Sequence, residues 1–413
     1  MSDRGEERSS NASTKLSRRE LLALTGTGAV ALAGCSGGGD GGTDSPASSP
    51  TDSPTASRTA TDAPTPTPTD GTPTATPTAT ATPTDSPTPT ATPSTEERIA
   101  RYGCPNLDRD GDYDVVVAED GSGDFESVQA AVDSLEPRTF DEQRVFIEPG
   151  RYEEKLTIPE NLSDVTFLGE NPRETVITYD DHADKLDENG DPIGTSGSSS
   201  VFVDCLDFTA ANITFANGAE PVAQAVAMRP TGDRAMFYNC RFVGNQDTLY
   251  TRGKQSNQYY SNCYIEGDVD FIFGAATSYF DSCEIFCKDD GYVTAASTVE
   301  DRPYGYVLNN CTVYGDAPPR SVYLGRPWQR YAQTVILNSY MGEVIKHVGY
   351  DPWPEPDHPD KTETAYYAEY NNEGPGYKPG SRPEWVHQLS EEEAQPYMDI
   401  TEVFQGWNPE ACL

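Results

Sequence analysis

The chain has 413 residues and a formal net charge of -38, from 67 Asp and Glu against 29 Lys and Arg. That balance excludes a nucleic-acid partner, whose phosphates require clustered Lys and Arg. A carboxylate-dense surface instead suits strong brine, where about 1 M salt shortens the Debye length to about 3 Å.

Residues 1–34 read as an export signal rather than as fold. Ser17-Arg18-Arg19-Glu20-Leu21-Leu22 precedes a weakly apolar run, Ala23 to Ala33, too short to span a bilayer. The paired arginines resemble a twin-arginine signal, and Leu32-Ala33-Gly34-Cys35 resembles a lipoprotein processing site with Cys35 lipidated. Residues 35–98 are rich in Thr, Pro and Ser and carry too little apolar surface to offset the entropy of ordering them. They read as an extended stalk, at about 3 Å per residue in polyproline-like conformers. The expected location is the cell surface, through a lipid anchor at Cys35, or the medium, with the protein a monomer.

Residues 99–413 are long enough for one large domain. Within them a short pattern recurs: Asn212-Ile213-Thr214-Phe215, Asn239-Cys240-Arg241-Phe242, Asn262-Cys263-Tyr264-Ile265, Ser282-Cys283-Glu284-Ile285, Asn310-Cys311-Thr312-Val313 and Asn338-Ser339-Tyr340-Met341. The spacing, 20 to 28 residues, matches one coil of a β-solenoid, and no long amphipathic helix separates the segments. The expected fold is all-β, a right-handed single-stranded parallel β-helix. Coils stacked about 4.8 Å apart would align the asparagines as an amide ladder and the cysteines as a column of small interior fillers.

Cys240, Cys263, Cys283 and Cys311 are thus expected as buried structural thiols, not metal ligands. Cys104 and Cys412 bracket the domain and could form a disulfide in an oxidising compartment. The four histidines, His182, His347, His358 and His387, lack ligand spacing, so neither metal nor organic cofactor is expected. A serine esterase is argued against because residues 99–413 hold no G-x-S-x-G elbow.

Two aspartates stand at matched offsets. Asp247 lies seven residues after Cys240, and Asp270 lies seven after Cys263. In a solenoid, equal offsets place side chains at equivalent positions on adjacent coils. Two carboxylates so placed cannot both ionise freely, which separates them into a proton donor and a charged nucleophile or base.

Across about 300 residues the chain resembles the pectin methylesterase family. Gly150-Arg151-Tyr152-Glu153-Glu154, Gln224-Ala225-Val226-Ala227-Met228, Gln246-Asp247-Thr248-Leu249-Tyr250, Asp270-Phe271-Ile272-Phe273-Gly274 and Leu324-Gly325-Arg326-Pro327-Trp328 occur in family order. Met228 departs from the family's leucine, a volume-conserving change. The resemblance implies Asp270 as nucleophile, Asp247 as proton donor and then base, and Gln224 and Gln246 as amide donors to an oxyanion. It implies Arg326 as the partner that orients Asp270 and lowers its pKa. Tyr250, Phe273, Trp328 and Trp353 are expected to line a sugar-binding groove, and methylated pectin is the expected substrate.

Two other functions fit parts of this pattern: hydrolysis of a different ester or thioester by the same residues, and surface glycan binding without turnover. A glycosidase or lyase on the same fold is less supported, since no further acidic motif suggests one. Loops at Asp180 to Ser200 and Asp351 to Lys361 are expected to border the groove.

Overall fold

The computed structural model describes residues 107, 111–137, 139, 141–354 and 360–412. The export signal, Cys35, the stalk, Cys104 and His358 lie outside the described residues.

Short strands recur in threes. In one coil Asn257–Ser261, Tyr264–Gly267 and Ile272–Gly274 follow one another, and each joins a different sheet. Each strand pairs in parallel with its counterpart in the next coil: Tyr259 beside Tyr279, Ile265 beside Ile285, Ile272 beside Thr294. The first sheet has eleven strands, from Val115–Val117 to Val386–Gln388, the second seven, from Leu156–Ile158 to Val322–Gly325, and the third eight, from Gly150–Glu153 to Tyr340–Met341. Strand order in space follows chain order in every sheet, so the chain is a right-handed parallel β-helix.

The recurrent asparagines occupy the corner between the first and third sheets. Asn212, Asn239, Asn262, Asn310 and Asn338 all adopt φ between 51° and 60°, the left-handed region that Asn tolerates better than most residues. The residue type therefore answers a backbone need as well as a stacking one. Asn239 Nδ2 donates to Asn212 Oδ1 at 2.7 Å, and Asn262 Nδ2 donates to Asn239 Oδ1 at 3.3 Å. Ser282 interrupts the ladder, which resumes where Asn371 Nδ2 donates to Asn338 Oδ1 at 2.9 Å.

Beside this corner Cys240, Cys263, Cys283 and Cys311 point inward as buried free thiols. Each Sγ–H reaches a carbonyl of the preceding coil, as in Cys263 Sγ to Phe237 O at 3.4 Å. Burial pushes Cys240 up to about 12, away from thiolate chemistry. Stacked rings fill the rest of the interior: Phe237 on Tyr260 at 5.0 Å and Tyr260 on Phe280 at 4.7 Å.

Helical segments, which the repeat did not reveal, cover what the coils leave open. Helix α1, Val128–Ser134, is capped by Ser127 and buries Val128, Ala131 and Val132 in the main core. Outward positions of the first sheet carry Met236, Tyr259, Tyr279, Val335 and Leu337, an apolar strip that a bare sheet would expose. Helix α2, Glu391–Met398, and the short helix α3, Ile400–Val403, lie on it through Ala394, Ile400, Val403 and Phe404. At the start of α2 Ser390 and Glu393 form a reciprocal capping box.

Near the C-terminal end Glu369 and Arg382, both essentially unexposed, form an ion pair with Arg382 Nε donating at 2.9 and 3.1 Å. Tyr350 and Gln388 also donate to Glu369, and Arg382 reaches the Lys346 and His347 carbonyls, so the buried charges are satisfied. This pair anchors the segment that runs on to Trp353.

Candidate active site

The site lies where the third sheet turns into the second. Asp247 precedes the strand Leu249–Thr251 by two residues, and Asp270 precedes the strand Ile272–Gly274 by two. Those strands pair Leu249 with Ile272 and Tyr250 with Phe273, so the aspartates are register equivalents on adjacent coils. Both turn corners in the left-handed region, with φ of 65° and 50°, and Asp247 N donates to Val269 O at 3.0 Å. The matched offsets thus correspond to matched positions in space.

Two motif glycines keep these coils close. Gly274 has φ +130°, and a Cβ there would lie 2.2 Å from the Thr251 carbonyl oxygen of the preceding coil. A Cβ on Gly325 would lie 2.2 Å from Thr294 Oγ1. From Gly325 the chain passes to Arg326, whose N–H donates to Thr294 O at 3.0 Å. That anchor lets the side chain reach back one coil further.

Arg326 meets Asp270 with a two-pronged grip: Nε donates to Oδ1 at 2.9 Å and Nη2 to Oδ2 at 2.5 Å. Asp247 is 3% exposed and Asp270 2%, so both carboxyls are out of bulk water. Burial, reinforced by the charge of Asp270, pushes Asp247 well above the ordinary carboxylate range. Burial also lifts Asp270, with the Arg326 guanidinium pulling the other way. The expectation that Arg326 holds Asp270 below its ordinary value is therefore corrected: desolvation outweighs the cation. The division between the two nevertheless holds on geometry. Both Asp270 oxygens accept from the guanidinium, which suits the ionised form, while the raised pKa of Asp247 favours its protonated form.

Gln224 and Gln246 flank the carboxylates with half-buried side chains. Ala225 N donates to Gln246 O at 3.1 Å, just as Asp247 N donates to Val269 O one coil on, so the two glutamines are neighbours on adjacent coils. The Asp180 to Ser200 loop reaches the same place, where Ala183 N donates to Gln224 O at 2.8 Å.

Three of the four expected groove aromatics come together. Tyr250 and Phe273 stack at 4.2 Å, and Trp328 lies 5.9 Å from Phe273 and 6.5 Å from Tyr250. With Val226 and Ala295 they make an apolar platform beside the two acids. Trp353 borders the same cluster, but its ring lies 3.7 Å from Arg326 Cζ, which makes it a neighbour of the cation as much as a wall of the groove. Asp351 Oδ1 accepts from Trp353 N at 2.7 Å and fixes that turn.

Sequence reasoning missed Tyr292, whose ring lies 3.8 Å from Arg326 Cζ. Tyr292 N donates to Asp268 O at 3.1 Å, which sets it on the next coil close to the Asp270 corner. The Cys marker hid this, because Tyr292 follows Cys283 by nine residues rather than seven.

The resemblance of this chain to proteins of known type runs through the same residues. The Pectinesterase family profile matches residues 114–405. Pectinesterase 31 of Arabidopsis thaliana is 40% identical over 286 residues, covering 68% of this chain and 89% of the relative. The pectin methylesterase from carrot superposes with a TM-score of 0.64 at 32% identity, covering 71% of this chain and 94% of the carrot chain. A pectin methylesterase in complex with hexasaccharide VII gives 0.64 at 30% identity, covering 72% and 99%. With the β-helix complete and the motif acids side by side on adjacent coils, the chain belongs to the pectinesterase family.

Proposed function

We propose that this chain hydrolyses the methyl esters of pectin with Asp270 as nucleophile and Asp247 as proton donor. The single observation that carries the assignment is the two-pronged Arg326–Asp270 pair one coil from the buried Asp247. An ionised Asp270 oxygen attacks the ester carbonyl carbon, and the negative charge moves to the carbonyl oxygen, where the amide N–H groups of Gln224 and Gln246 receive it. Collapse breaks the bond to the methoxy oxygen, which takes the Asp247 proton and leaves as methanol. Asp247, now ionised, takes a proton from water as the water attacks the acyl-Asp270 carbonyl. That step frees the galacturonate carboxyl and restores both aspartates. Tyr250, Phe273 and Trp328 offer ring faces to the sugars on either side of the scissile ester.

The experiment is methanol release from highly methylated pectin by residues 99–413, measured from low salt to molar salt. Turnover is expected to rise with salt, because the free carboxylates of pectin are repelled by residues 99–413, which carry 55 Asp and Glu against 22 Lys and Arg. Absence of methanol at every salt concentration would remove pectin as the substrate and leave another ester.

The N-terminal segments complete the proposal. Export through the paired Arg18 and Arg19, lipidation at Cys35 and a stalk to residue 98 would hold a monomeric enzyme at the cell surface, where an insoluble polysaccharide can be reached. An acidic surface suited to brine fits the same setting. Cys35→Ser is expected to move the protein from the membrane fraction to the medium; unchanged membrane partition would eliminate the anchor.

A further inference from the structure

The groups around Arg326 form a longer stack than the reaction as described requires. Its Cζ lies 3.8 Å from the Tyr292 ring centroid and 3.7 Å from that of Trp353. Two rings cannot share one face of a planar guanidinium at those separations, so they bracket it. The stack continues on both sides. Tyr292 lies on Tyr323 at 5.1 Å with an interplanar angle of 7°, and Lys346 Nζ sits 3.6 Å from the Tyr323 ring. Lys361, itself buried, places Nζ 4.8 Å from Trp353. Cations and rings thus alternate: Lys361, Trp353, Arg326, then the Tyr292–Tyr323 pair and Lys346.

The fold explains why these groups meet. Tyr292 and Tyr323 are paired residues of neighbouring strands in the second sheet. Tyr292 stands on the coil after Asp270, where its N–H donates to Asp268 O at 3.1 Å and sets it next to the Asp270 corner. Arg326 leaves its strand one coil beyond Tyr292, folds back across that ring and meets Asp270 one coil before it. A long, flexible side chain crossing a full coil has many alternative rotamers. The flat face of Tyr292 beneath it and Trp353 above it remove most of them.

We infer that Tyr292, with Trp353 opposite, is a positioning residue that holds the Arg326 guanidinium in the plane where it grips both Asp270 oxygens. The inference rests on the role given to Arg326 and Asp270 above. It assigns Tyr292 to the ring-face contact and not to its hydroxyl, because the guanidinium lies over the ring centroid. Loss of the ring leaves Arg326 present but loosely aimed, so the nucleophile is less well oriented and its acidity less well controlled. Substrate binding, which relies on the platform of Tyr250, Phe273 and Trp328, is left intact.

The test compares Tyr292→Leu and Tyr292→Phe in methanol release from methylated pectin, with full pH profiles. Tyr292→Leu is expected to lower kcat about 10- to 100-fold, the scale of a misplaced catalytic group, with KM within about 2-fold. The acid limb of kcat, which reports ionisation of Asp270, should move to higher pH, because a loosened Arg326 opposes burial less. Tyr292→Phe keeps the ring face and should recover kcat to within about 3-fold, with the limb back in place. Parent-like kcat and acid limb in Tyr292→Leu would overturn the inference. So would a kcat loss that tracks a fall in Tm with no movement of the limb, or a Phe variant as impaired as the Leu one. Arg326→Ala separates this from the mechanism itself. If that variant is inactive while Tyr292→Leu behaves like the parent, only the positioning role falls; if Arg326→Ala is fully active, the assignment of the site falls.

Discussion

Asp270→Asn is expected to reduce kcat for methanol release by about 10⁴-fold or more, with KM changed by no more than a few-fold. The amide is nearly the same size as the carboxylate, so the platform of Tyr250, Phe273 and Trp328 is undisturbed and substrate still docks. What disappears is the carboxylate oxygen that Arg326 holds beside Asp247. The same change removes the acceptor for one prong of Arg326, since an amide nitrogen cannot take the place of Oδ1 or Oδ2. A partly buried guanidinium left half-paired should cost about 1–3 kcal/mol of stability. Thermal unfolding of the variant distinguishes loss of chemistry from loss of fold. Methanol release within 10-fold of the parent would exclude Asp270 as nucleophile.

The second large effect has the opposite sign on stability. Asp247→Asn is expected to lower kcat about 10²- to 10⁴-fold, the range for loss of a general acid, while raising Tm at neutral pH. Burial and the charge of Asp270 raise the folded-state pKa of Asp247 well above its unfolded value near 3.9. Protonation of such a group favours the folded state. Its stabilising contribution is fully present below the unfolded pKa and is lost as pH rises through the raised folded pKa. Asn does not titrate, so the variant keeps what the parent loses. The Tm difference should be near zero at pH 3 and grow to on the order of 2–6 °C once pH exceeds the folded pKa. Activity should also report this proton: kcat of the parent falls at high pH as Asp247 ionises, and the alkaline limb is absent from the residual rate of Asp247→Asn. Equal Tm values across the pH range would mean that Asp247 carries no strained proton. Two isosteric substitutions at register-equivalent positions thus move stability in opposite directions, because one aspartate is paired with a cation and the other is not.

The sites of these two substitutions show how far local sequence carried. Asp247 and Asp270 share the offset from the Asn-Cys marker only because their two coils have connections of equal length between the third and second sheets. In the next coil the connection is two residues longer, so Tyr292 falls out of the numerical pattern although its N–H bonds to Asp268 O beside the Asp270 corner. A repeat is legible when insertions are absent, and hydrogen-bonded register continues regardless of them. Trp353 illustrates a different limit. Its identity marks an aromatic near a groove, but its contact with Arg326 depends on a turn built on Asp351 and held against Gly325. The covering helices escaped the solenoid reading because they lie outside the repeat.

By itself the sequence determined the coil period, the interior thiol column, the two acids as a spatial pair and the motifs that place the chain among the pectinesterases. These follow from one-dimensional regularities: fixed spacing, alternation and turn residues at constant offsets. The tertiary structure alone decided the balance of charge in the site. Burial of Asp270 depends on which side chains close over it, and that burial outweighs Arg326, reversing the direction that pairing alone implied. It alone also decided that Arg326 is bracketed by Tyr292 and Trp353, residues 34 positions before it and 27 after it. Desolvation and ring contacts are sums over neighbours in space, and a sequence orders neighbours only along the chain.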